Sequence, residues 1–204
     1  KAEAFGVIND LLDLTRSTKT GLNDIVLLYR TNSQSRAIED QLRRESLPYH
    51  IVGGVKFYDR KEIKDILAYL KYLLNPLDAI AFTRIVNFPA RGIGKTTLNK
   101  ILGYIADNSV TLDYAMNNLE KLALSESQIK KINHFKSIIK KLQEFSNDSA
   151  IDIIELLIDE IDIKDYYTKR DNPEDYERLE NINELVSSVS DFCDRNDNNS
   201  IKEF

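Results

Sequence analysis

Pro89, Gly92 and Gly94 break the chain within a few residues, and an amphipathic segment follows at once. In it Leu98, Ile101, Leu102 and Ile105 recur at i, i+3, i+4 and i+7, the spacing of one buried helical face. A Gly-x-Gly turn that opens into a helix leaves backbone N–H groups without intrahelical acceptors, and the helix dipole adds partial positive charge. Such an end suits an anion, a phosphate above all. Arg91, Lys95 and Lys100 add full charges, and Thr96 and Thr97 add hydroxyl donors.

Gly94-Lys95-Thr96 also reads as the end of a nucleotide-binding P-loop. That loop needs a glycine five residues before the Gly-Lys pair, where the backbone wraps the phosphates. Pro89 stands there, with no N–H and a fixed φ. The acidic strand that would hold magnesium could only be Leu156–Glu160, but Ile151, Ile154, Leu157, Ile158 and Ile161 keep helical spacing. A self-contained P-loop hydrolase is therefore the weaker alternative, and no catalytic residue is expected here.

At 204 residues the chain can hold one good core, or one domain and part of another. No apolar run approaches the ~20 residues that span a bilayer. It carries no basic-then-apolar leader, and its one cysteine, Cys193, suits a reducing cytoplasm and an apolar helix face. His50 and His134 lack neighbours at metal-ligand spacing, so no metal site is expected. The net charge of −5 is uneven. Residues 1–104 hold 16 Lys and Arg against 11 Asp and Glu, whereas residues 105–204 hold 12 against 22. A basic half beside an acidic one fits one surface for a polyanion and another turned away from it.

In chain order, Phe5, Ile8, Leu11 and Leu12 form a helical stripe that ends before Ser17–Asn23. The run Asp24–Tyr29 reads as a buried strand. Thr31, Asn32 and Ser33 offer N-caps to a helix with Ala37, Ile38, Gln41 and Leu42 on one face. Tyr49–Val52 is a second strand candidate, ended by Gly53-Gly54. Strand, helix, strand predicts a parallel pair with a right-handed crossover, and ligands of such units gather at the strands' carboxyl ends, near Arg30, Thr31 and Asn32.

Beyond the double glycine the pattern is helical. Asp59 and Glu62 form a plausible capping pair for a helix burying Ile63, Ile66, Leu67, Leu70 and Leu74. Asp78 can cap a short helix through Phe82, Ile85 and Val86. Further helices are expected over roughly 111–119, 127–145, 150–165 and 175–193. The sequence thus predicts a mainly α chain with a small α/β portion, divided near residue 55. Residues 1–55 would form the βαβ piece and 56–204 an all-helical domain. A two-stranded fragment leaves a sheet edge exposed, so residues 1–55 read as part of a larger domain.

Three runs together resemble the UvrD/Rep/PcrA type of superfamily I DNA helicase. Leu28–Arg36 resembles the family's motif in its second RecA-like domain, 2A; Val52–Asp65 resembles the junction where the inserted helical domain 2B leaves that core; Arg91-Gly92-Ile93-Gly94 resembles the duplex-binding Gly-Ile-Gly turn of 2B. The resemblance is strong over about residues 3–110 and general beyond. It implies part of a RecA-like domain followed by an inserted helical domain, incomplete at its C-terminal end. The parent would be an ATP- and Mg2+-dependent 3′–5′ helicase of repair or replication. By that resemblance this chain would be a fragment without the ATP-site motifs, needing no cofactor of its own and hydrolysing nothing alone.

By resemblance, Arg30, Thr31 and Asn32 would contact single-stranded DNA, and Arg91, Gly92, Ile93, Gly94, Lys95 and Thr96 would grip duplex phosphates. Gly53 and Gly54 would be the joint on which 2B swivels. The implied partners are DNA, the rest of the helicase core and possible repair or replication proteins, with no membrane. Plainer readings stand beside these. Asn32 would merely cap the next helix, Gly92–Thr97 would be a tight helix connection, Gly53-Gly54 a strand end, and Lys56, Arg60, Lys61 and Lys64 a solvated helix face. A third reading makes the helical part a protein-interaction module whose acidic helices dock partners.

Overall fold

The computed structural model describes residues 2–145, 148–169 and 171–204, and those residues are built of helices. Helix α1 (Ala2–Ser17) packs its Ala4, Ile8, Leu11 stripe beside α2 (Ser35–Arg44). These residues and Leu42 are buried outside the continuous core, which begins at Phe57 and runs to Ile201.

Helix α2 turns inward a different face from the expected one. Ala37, Ile38 and Gln41 are half-buried, whereas Ser35, Arg36 and Glu39 are buried with Leu42. A buried charge is costly unless it is hydrogen-bonded. Glu39 accepts from the Ser35 hydroxyl (2.9 Å), the Tyr49 hydroxyl (2.9 Å) and the Phe57 N–H (3.1 Å).

The two expected strands do not form a sheet. Among the described residues no strand ladder exists, and the one isolated bridge joins Ser149 to Ser200. Residues 25–29 and 49–51 carry no regular structure, with Leu28 91% and Val52 94% exposed. A strand needs a neighbour to take its N–H and C=O groups, and the described residues supply none.

The remaining helices share one core. Helix α3 (Lys61–Leu74) buries Ile63, Ile66, Tyr69 and Leu70 against α4 (Ala79–Ile85) and α10 (Pro173–Cys193). Tyr72, Phe82 and Phe135 meet in a ring cluster with centroids 5.8–6.1 Å apart. Helix α7 (Glu126–Glu144) supplies Phe135, and α8 (Ala150–Glu160) packs on both α7 and α10. Helices α5 (Lys95–Asn108) and α6 (Leu112–Asn117) pair on one another, and α9 (Ile163–Thr168) rests on α10.

Side-chain caps fix the starts of α4, α6, α7, α8 and α10. Asp78 Oδ1 accepts from Ile80 N (3.0 Å) and Ala81 N (2.9 Å), as its position predicts. Asn172 caps α10 ahead of Pro173. Asp59 does not cap α3: it pairs with Lys64 Nζ at 2.7 Å, and Glu62 turns inward to Asn181. The helix expected over 150–165 is two. Ile161 and Ile163 are both buried, yet in one helix residues two apart face roughly 200° away from each other. A break at Asp162, with φ +50°, turns both inward.

A buried polar chain ties α2 and α10 to the start of α3. Arg60 donates to Ser35 Oγ and Asn181 Oδ1, each at 2.7 Å, and Asn181 Nδ2 donates to Glu62 Oε1 at 2.7 Å. Through Ser35 the chain reaches Glu39. Arg60 is therefore an internal residue rather than part of a solvated basic face.

Candidate nucleic-acid interface

The turn between α4 and α5 is held from inside. Asn87 Oδ1 accepts from Arg91 N (2.9 Å) and Ile93 N (3.0 Å), and the Ile93 side chain is buried. Arg91 points inward: its Nη1 donates to Phe88 O (2.6 Å), Ile85 O (3.2 Å) and Pro89 O (3.3 Å). Its guanidinium lies over the Tyr69 and Phe135 rings at 5.9 and 5.7 Å. The Tyr69 hydroxyl donates to Phe88 O, and burial pushes its pKa up to about 12. The Phe88–Pro89 peptide is cis.

What remains outward is the glycine edge. Gly92 has φ +71°, and Gly94 is the N-cap of α5. Among the described residues, the N–H groups of Gly92, Gly94, Lys95 and Thr96 have no acceptor, while Lys95 and Thr96 are exposed. A Cβ on Gly94 would meet nothing within 4 Å, so this side is open.

Helix α7 brings what the sequence order hides. Ser125 and Gln128 form a capping box at its start: Ser125 N donates to Gln128 Oε1 at 2.9 Å, and Gln128 N to Ser125 Oγ at 3.3 Å. The same Gln128 gives Nε2 to Thr97 Oγ1 at 2.7 Å, which sets the N-terminal ends of α5 and α7 side by side. Two positive dipole ends thus converge. Lys131, one turn into α7, donates to Gly92 O at 3.2 Å and covers the glycine so closely that a Cβ there would lie 2.8 Å from Nζ. Lys131 is 39 residues from Gly92, and only its charge was visible in the sequence. Lys100 instead donates to Ala123 O at 2.6 Å.

This geometry departs from a P-loop. The element that enters the turn is helix α4, not a strand, and residues 150–160 form helix α8.

The second set, Arg30, Thr31 and Asn32, is exposed ahead of α2. Asn32 does not cap the following turn. Gln34 Oε1 does so by accepting from Arg30 N (3.0 Å) and Thr31 N (3.2 Å), and Thr31 Oγ1 bonds Ser33 Oγ. The Asn32 amide instead donates to Glu177 of α10. Four residues on, Arg36 bonds Glu184 Oε1 through Nε at 2.6 Å and Asp40 Oδ2 through Nη1 at 3.1 Å. Burial lowers the Arg36 pKa, but Glu184, Asp40 and Asp191 outweigh it and leave it raised. The two sets lean on different helices, 30–32 on α10 and 91–96 on α7.

Gly53 has φ +74° and Gly54 follows it in an irregular segment. Phe57 is fully buried, and Tyr58 bonds Ser188 and packs under Arg43, so both act in packing. Cys193 is half-buried, with Sγ 3.8 Å from Asn199 O, and both histidines are exposed. Among the described residues no group of acids, histidines and cysteines is placed to hold a metal, and no helix is long and apolar enough to cross a membrane.

The UvrD-like helicase C-terminal domain family matches residues 1–204. The chain is 39% identical over 199 residues to the ATP-dependent DNA helicase PcrA of Bacillus subtilis, covering 97% of this chain and 27% of that protein. It is 35% identical to PcrA of Staphylococcus epidermidis over 193 residues, 93% of this chain and 26% of the relative. A probable DNA helicase II homolog of Rickettsia conorii is 32% identical over 201 residues, 97% of this chain and 30% of the relative. The chain thus spans less than a third of the length of these relatives.

Proposed function

The chain belongs to the UvrD-like helicase C-terminal domain family, and on that premise we propose that it is the duplex-gripping part of an ATP-dependent DNA helicase. The observation that carries this reading is the paired start of α5 and α7 around the glycine turn. There the N–H groups of Gly92, Gly94, Lys95 and Thr96 have no acceptor among the described residues, Lys95 is exposed, and the Lys131 ammonium sits on Gly92 O. A phosphate could accept from two or more of these N–H groups at once, and backbone donors read no base. Arg91 and Ile93 contribute by shaping the turn from within. Binding should be sequence-independent and fall steeply with salt.

Arg30, Thr31 and Asn32 are proposed to touch single-stranded DNA, and residues 1–55 to belong to a RecA-like domain completed by other parts of the protein. The bare apolar faces of Leu28 and Val52 support that division. ATP and Mg2+ would act in that larger protein, which we place in the cytoplasm with the remaining helicase core as its partner. Gly53 and Gly54 would be the joint between the two parts. The acidic helices α8 to α10 supply a face that DNA avoids, and repair or replication proteins are the partners it would suit.

Fluorescence anisotropy of a labelled duplex tests the clamp. Lys131→Met should weaken binding about three- to tenfold and lower the salt slope by about one, as for one lost phosphate contact. Lys131→Arg should bind like the parent chain. Duplex affinity indifferent to both Lys131→Met and Lys95→Glu would shift the function to the protein-docking face.

A further inference from the structure

Helix α10 carries Glu177, Glu184 and Asp191 at intervals of seven residues, nearly two turns, so the three form one acidic stripe. That stripe faces the segment assigned above to single-stranded DNA. Glu177 Oε1 accepts from the Asn32 amide, and Glu184 Oε1 accepts from Arg36 Nε at 2.6 Å. Asp191 Oδ2 lies 3.9 Å from Arg36 Nη2. Helix α10 also packs directly on the 3-10 turn that contains Asn32.

The chemistry of these contacts is that of a nucleic-acid backbone. A carboxylate offers an amide donor the same anionic oxygen that a phosphate offers. The spacing matters as well: Asn32 and Arg36 sit one helical turn apart along the segment, and each meets its own carboxylate. Arg36 is buried under this cover, whereas Asn32 keeps an exposed edge from which a competing anion can enter.

We propose that the acidic stripe of α10 is a built-in competitor of single-stranded DNA, with Glu177 occupying the Asn32 donor that a phosphate would take. A single strand gains that N–H of Asn32 only by displacing Glu177. Arg36, held by Glu184, Asp191 and Asp40, keeps the stripe in register when Glu177 lets go. This also gives the acidic C-terminal half a task besides solubility. The inference rests on the single-strand reading of residues 30–32.

The test is binding of a labelled oligothymidine to the 204-residue chain, read by anisotropy at low and moderate salt. Glu177→Ala should tighten binding about two- to fivefold, the scale of one exposed charged contact. Glu180→Ala removes the same charge from an exposed position of α10 and should change binding less. In an Asn32→Ala background Glu177→Ala should gain nothing. Thermal melts show that each variant is folded. Equal gains from Glu177→Ala and Glu180→Ala, or a gain that persists without Asn32, would overturn the competitor and leave the single-strand reading in place. Absence of salt-sensitive oligonucleotide binding in every variant would overturn the single-strand reading itself, and the competitor with it.

Discussion

Gly92→Asp is expected to weaken duplex binding by more than about tenfold, three effects acting together. At φ +71° an L-residue carries a backbone cost of about 1–2 kcal/mol. Any Cβ at this position meets Lys131 Nζ at 2.8 Å and Cε at 3.3 Å, so the flexible end of that lysine must shift aside. The new carboxylate then stands where a phosphate would be held and recruits the displaced ammonium to itself. A control separates binding from folding. Gly103 lies in α5, where an added Cβ would meet nothing within 4 Å and φ is not positive. Gly103→Ala should stabilise the helix by about 0.5–1 kcal/mol and leave duplex affinity alone. Anisotropy titrations with parallel thermal melts read both; a folded Gly92→Asp chain that binds duplex normally would remove the turn from the interface.

Arg60→Ala carries the largest expected loss of stability, about 3–6 kcal/mol, from two buried charge-assisted hydrogen bonds at about 1.5–3 kcal/mol each. Its guanidinium serves Ser35, Asn181 and the Val55 carbonyl, and beyond them the Glu62 and Glu39 carboxylates. Removing it leaves buried acceptors with no donor and severs α2 from α10 at the same point. Lys64→Ala is the contrast. It breaks an ion pair with Asp59 at 2.7 Å, but both side chains are about half exposed, so the loss should be far smaller than at Arg60. Urea unfolding gives both values from midpoint and slope. A loss at Arg60 no larger than at Lys64 would show that the network is wet and contributes little.

The helical part was open to reading from sequence because its signals are local. The stripes of α3 and α10, the Asp78 cap and the corner at Pro89–Gly94 each rest on residues within a turn or two of one another. What escaped depends on distant partners. The buried face of α2 is polar because Arg36 meets Glu184 and Ser35 meets Arg60, and no periodicity rule finds such pairs. The break at Asp162 follows from two isoleucines that both turn inward, whereas either alone fits an unbroken helix. Residues 24–29 form an apolar run that reads the same whether neighbours cover it or, as here, Leu28 stands bare. At the candidate interface the glycines were visible and Lys131 was not. The charge of Arg91 suggests a ligand contact, and its three carbonyl partners, set by the folded turn, were equally out of view.

Amide chemical shifts of the 15N-labelled chain, followed as an unlabelled short duplex is added, test the phosphate clamp most directly. The expected result is a set of salt-sensitive perturbations centred on Gly92, Gly94, Lys95 and Thr96, with the start of α7 moving alongside. Saturable duplex binding that leaves those four amides unmoved and perturbs another face would contradict it.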